Sequence, residues 1–144
     1  MVDSTKLYEN VEKRNKEYLK MFEKELKESG LSRKTINKHL DNIDLFLNDY
    51  LINYMEDAEI DSCLLAVNDF LGYFLISKCM WTSKTSLKET ATSLKKFYSC
   101  MLRNNLIKEE YYSNLCDLIK RNLDTYLERL DRFDNIDDYP DEWY

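Results

Sequence analysis

The chain has 144 residues, 44% of them hydrophobic, with only 2 Gly and 1 Pro. That length can bury a real core, and the scarcity of turn residues predicts long uninterrupted helices, an all-α class in one domain. The net charge of −6 excludes a protein that holds nucleic acid by overall charge alone, and no apolar run nears the roughly 18 residues that span a bilayer.

From about Leu7 to Ser29, the apolar positions Val11, Tyr18, Phe22 and Leu26 recur at helical intervals, and Gly30 supplies a left-handed stop. Ser32 caps a second helix, whose stripe Ile36, Leu40, Ile43, Leu47, Tyr50, Tyr54 steps by four and three without a break. The acidic stretch from Glu56 to Asp61 reads as a loop. Asp61 or Ser62 then caps a third helix through Val67, Phe70, Leu71, Phe74 and Leu75 to about Cys79. This helix is apolar on most sides, which predicts a central place. Gly72 within it costs about 1 kcal/mol against Ala, so a close approach by another helix is expected there.

A turn from Trp81 to Ser83 leads into a fourth helix with Leu87, Ala91, Leu94, Tyr98 and Met101, ending near Asn104 and Asn105. Its start is either Ser83 or, through the capping-box pair Ser86 and Glu89, three residues later. A fifth helix, about Glu109 to Phe133, places Tyr112, Leu115, Ile119, Tyr126, Leu130 and Phe133 on one face. Residues 1–130 are therefore taken as the helical domain and 131–144 as an acidic-aromatic tail, with Phe133, Tyr139, Trp143 and Tyr144 among six acids and a helical period lost around Pro140.

Cys63, Cys79, Cys100 and Cys116 are widely spaced and His39 is the single histidine. This pattern predicts buried free thiols and neither a zinc site nor a disulfide framework. No metal or cofactor is expected. The opening residues, Met1 to Lys6, lack the apolar core of a signal peptide, so the expected location is cytoplasmic.

The charge is unevenly spread. Residues 83–108 carry 6 Lys+Arg against 1 acid, while residues 109–144 carry 4 against 11. Between Glu28 and Asp41 the only charges are Arg33, Lys34 and Lys38. Both cationic islands open a helix behind a serine cap, where unpaired N–H groups and the positive dipole end already favour anions. The two helices are also built alike: Ser32, Ile36, Ile43 and Phe46 sit at the same offsets as Ser83, Leu87, Leu94 and Phe97. On a helical projection Lys84, Lys88 and Lys95 fall within about 40° of one another, and Lys34 and Lys38 lie opposite the apolar stripe. This arrangement suits a phosphate backbone. Lysines on helices are more often a solvated face, and that bland reading stands beside it.

The segment Gly30 to Ile36, followed by Leu40, Ile43, Phe46 and Leu47, resembles the first signature of the SAM-like core-binding domain, the N-terminal arm of phage integrases and other tyrosine recombinases. Ser83 to Ile107, with Leu94 to Tyr98 and Asn104 to Ile107, is similar to that family's last core helix and the turn after it. The resemblance covers about residues 15–108. It implies a four-helix SAM-like bundle packed against one side of a DNA duplex, with the fifth helix added here. It also implies DNA contacts at Ser32, Arg33, Lys34, Thr35 and Lys38, and at Ser83, Lys84, Thr85, Lys88 and Lys95.

Two features depart from the family. The catalytic domain, with its arginines, His-x-x-Arg element and tyrosine nucleophile, should begin about where this chain turns acidic. His39 is followed three places later by Asn42. A non-enzymatic module is therefore expected, with double-stranded DNA as partner. The alternative is a helical protein-interaction module that keeps the fold without DNA, docking a recombinase or other protein through residues 131–144. No small-molecule substrate or membrane partner is indicated.

Overall fold

A computed structural model describes residues 4–55, 59–61 and 64–135. The described residues form helices joined by short turns and hold no strand, so the fold is all-α. Five helices follow in chain order: α1 (Ser4–Glu28), α2 (Arg33–Asp44, continuing through Leu45–Tyr54), α3 (Leu64–Asp69, Phe70–Phe74 and Leu75–Lys78 in one run), α4 (Lys84–Arg103) and α5 (Glu109–Asp134).

Local chemistry sets the boundaries. Gly30 lies at φ 78°, the left-handed position that ends α1. Ser32 caps α2 by accepting from the Thr35 amide. Ser83 caps α4 in a reciprocal box: its Oγ accepts from the Ser86 amide at 3.1 Å, and Ser86 Oγ accepts from the Ser83 amide at 2.8 Å. The start at Ser83 is thereby chosen over the one three residues later. Of the cap expected at Asp61 or Ser62, Ser62 lies outside the described residues, as do Cys63 and positions 136–144 of the tail.

The core centres on α4, which packs against all four other helices. Leu87, Ala91, Leu94, Phe97, Tyr98 and Met101 are buried along it. Helix α3, expected to be central, shares that core, with Val67, Phe70, Leu71 and Leu75 buried. Helix α3 packs against α2, α4 and α5, and it leaves Leu65 and Tyr73 exposed.

The close approach expected at Gly72 is made by α5. A methyl group there would lie 2.9 Å from the Tyr126 ring and 2.7 Å from Arg129 Nη1. Tyr126 is held by its hydroxyl, which donates to Asn68 Oδ1 at 2.6 Å.

Both α2 and α3 widen into π-helix where they meet, at Leu45–Tyr54 and Phe70–Phe74. The Met55 amide donates to the Tyr50 carbonyl five residues back. The wider turn stacks Phe46, Tyr50 and Tyr54 one above another, with interplanar angles of 13° and 25°. Phe70 and Phe74 insert between them at ring distances of 5.0–5.1 Å. The continuous helical stripe read from Ile36 to Tyr54 is thus one rod with two pitches.

Buried free thiols are found at Cys79 and Cys100, with Cys116 half-buried. Burial, together with the neighbouring Glu25 carboxylate, pushes the Cys100 thiol up to about 12. It is a packing residue, not a nucleophile. No described helix is long and apolar enough to cross a membrane, and the described residues hold no group of three or more His, Cys, Asp or Glu placed for a metal ion.

Candidate nucleic-acid interface

The first turns of α2 and α4 lie side by side, because the apolar stripes behind their caps bury Ile36 and Ile43 on one helix and Leu87, Ala91 and Leu94 on the other in a shared core. Between them runs an open groove of about 390 Å³. Thr35, Lys38, His39 and Asn42 form one wall, and Thr85, Lys88, Glu89 and Thr92 form the other. Both walls use positions i, i+3, i+4 and i+7, the spacing that keeps side chains on one helical face.

The ten residues expected to meet phosphate therefore divide. Thr35, Lys38, Thr85 and Lys88 line the groove. Ser32 and Ser83 are the exposed caps at its end, and Ser32 Oγ donates to Thr35 Oγ1 at 3.0 Å. Lys34 is exposed beside them. Arg33 turns back to α1, where its guanidinium meets Glu23 at 3.0 Å. That contact holds the Glu23 carboxyl below its usual range. Lys84 meets Asp131 of α5 at 2.8 Å.

Lys95 lies elsewhere. It shares a second groove, between α1 and the far half of α4, with Lys96, Arg103, Glu25 and Tyr112. The cationic ridge projected through Lys84, Lys88 and Lys95 therefore runs past two different grooves. An ion pair joins Arg103 to Glu25 within the lining of the second.

Four groove residues were not among the sequence candidates: His39, Asn42, Glu89 and Thr92. Their shared spacing with Thr35, Lys38, Thr85 and Lys88 is the signal that identifies them. The internal repeat hid it, because the caps repeat at one offset and the facing walls at another.

His39 is only 8% exposed. Its Nδ1 lies 2.7 Å from Ser93 Oγ, and Asn42 Nδ2 donates to the same oxygen at 3.0 Å. Ser93 has one proton, which it donates to the Glu89 carbonyl at 3.0 Å. All three contacts are made together only when His39 carries its proton on Nδ1 and donates it. Burial lowers the imidazole pKa, the nearby Lys96 lowers it further, and Glu89 opposes both. Lys38 reaches Glu89 at 3.7 Å across the groove.

Over 95 residues, 65% of its length, the chain is 36% identical to a protein of Methanocaldococcus jannaschii named as a probable integrase/recombinase. The match spans 28% of that protein. No family model and no solved structure matches the chain. What the comparison supports is a relationship to an integrase/recombinase, carried by a partial match.

Proposed function

We propose that these 144 residues form a non-catalytic module that binds double-stranded DNA through its phosphates, related to the SAM-like core-binding domain of tyrosine recombinases. The observation that carries this reading is the α2/α4 groove, where two serine-capped helix starts converge and Thr35, Lys38, Thr85 and Lys88 face one another. Hydroxyls, ammonium groups and free N–H groups at two adjacent helix starts are the donors that track a phosphate backbone. Arg33 and Lys84 adjoin this surface, and each now pairs with an acid that a phosphate would have to displace. Lys95 belongs to the second groove and is not a contact in this reading.

The test is fluorescence anisotropy with a labelled duplex of about 20 base pairs over a range of salt. Binding should weaken with a log–log slope of about −0.9 for each phosphate neutralised. Lys38→Glu with Lys88→Glu should abolish it while the helical circular dichroism is kept, and Lys95→Glu should leave most of it. Equal loss from Lys95→Glu would move the interface to the second groove.

A second reading is favoured by the turn between α3 and α4, where Met80 is 100% and Trp81 69% exposed. Trp is enriched among interface hot spots, so a helical protein-interaction module would dock through this turn, at a place other than residues 131–144. Failure of the wild type to bind duplex even at low salt would put this reading first.

A further inference from the structure

We propose that His39 is a proton-linked phosphate contact: the groove receives a phosphate oxygen at His39 Nε2, and the imidazole takes up a proton as it binds. The inference rests on the DNA reading above and deepens it by naming how that site is regulated.

The imidazole is part of the α2 wall of the groove, more than nine-tenths buried yet lining the open space. Ser93 Oγ meets Nδ1, and its own bonds with Asn42 and the Glu89 carbonyl settle the tautomer. Nε2 is then the ring's remaining polar atom, and in the neutral ring it carries a lone pair. A phosphate oxygen arriving there meets an acceptor and is repelled. Protonation at Nε2 turns that acceptor into a charged donor and leaves the Nδ1–H to Ser93 contact as it was. The network therefore serves both states without rearranging.

The surrounding charges set the direction. On α4, Lys88 and Glu89 line the groove and Lys96, in the second groove, acts on the ring through its charge; on α2 it has Lys38, and from α1 the Phe22 ring packs 6.4 Å away. Without an anion, burial and Lys96 keep the ring neutral, while Glu89 is drawn to Lys38. An anion in the groove reverses this balance. It supplies negative charge at close range, pairs with Lys38 and Lys88, and draws a proton onto the ring. By linkage, an anion that raises the affinity for a proton must itself bind more tightly where protons are more available.

Since His39 is the single histidine of the chain, its ring proton resonance is the only one of its kind in a ¹H NMR spectrum. The experiment follows that resonance against pH, free and with saturating duplex of about 20 base pairs, beside anisotropy titrations at about pH 8 and about pH 6. The expected result is a titration midpoint that rises by about one unit in the complex, and a duplex affinity about three- to fivefold higher at the lower pH, the full tenfold being reached only well below the free midpoint.

His39→Asn retains an amide donor for Ser93 but has no Nε2, so its binding should lose that pH dependence. Should this variant fail to fold, the wild-type midpoints decide alone. Duplex binding with the same midpoint free and bound overturns the proposal and leaves the DNA reading standing. If no duplex binds at any pH, the DNA reading falls, and inorganic phosphate becomes the probe. A rise of the His39 midpoint with added phosphate then supports the proton-linked pocket by itself, and an unmoved midpoint overturns it.

Discussion

Gly72 shows how a single missing methyl group positions a helix. Substituting Ala would recover about 1 kcal/mol of helix propensity, but the new Cβ would meet the Tyr126 ring at 2.9 Å. That ring cannot step aside cheaply. It is 1% exposed and its hydroxyl is tied to Asn68. Arg129, the other neighbour, lies with its guanidinium 4.4 Å from the Tyr73 ring centre and is the more flexible of the two. Overpacking of this kind costs typically about 1–3 kcal/mol, which exceeds the propensity gain. Gly72→Ala should therefore lower stability by about 1 kcal/mol in urea denaturation. A stabilised variant would mean that the α3/α5 contact has slack that the geometry does not show. The close approach was legible because glycine has so few other uses inside a helix. His39 was not legible in the same way: a lone histidine on a helix face gives no sign of its partners until Ser93, 54 residues later, is brought beside it.

At the scale of the element, capping residues were readable and pitch was not. Ser32 and Ser83 announce helix starts through side-chain chemistry that acts within four residues, so sequence alone places the first and narrows the second to two serines. The π-helical widening of α2 and α3 arises from a tertiary fit, the interleaving of Phe46, Tyr50 and Tyr54 with Phe70 and Phe74. Aromatics spaced by four suit either pitch until the partner helix is present. The start of α4 was open between two serines and was decided by the reciprocal bonds of Ser83 and Ser86. Ser83→Ala should consequently cost about 1 kcal/mol and Ser83→Gly only a few tenths. Hydrogen exchange of the first amides of α4, from Thr85 to Leu87, should accelerate more in the Ala variant. Exchange unchanged in both would mean that the cap contributes little to holding that end.

Across the whole molecule, the acidic α5 packs along the basic α4, and the segment of +5 net charge is partly neutralised within the fold. The sequence made the two charge blocks plain, but not that Lys84 at the start of one helix would meet Asp131 near the end of the other. Both side chains remain about half exposed, at 55% and 52%, so the pair adds at most about 1 kcal/mol to stability. Its effect on binding is separable from that. Asp131 holds the ammonium group nearest the α4 cap and adds a negative charge at the edge of the proposed interface. Asp131→Asn keeps the shape, frees Lys84 and removes that charge. It should tighten duplex binding about two- to fivefold at moderate salt, since an exposed charge pair is worth about that much. The salt slope should also steepen toward one further phosphate contact, a change of about 0.9. The double variant Asp131→Asn with Lys84→Gln should return to the wild-type slope, because the gain depends on the freed ammonium group. If the double variant kept the steeper slope, the acid would be acting through long-range repulsion alone, and Lys84 would be removed from the interface.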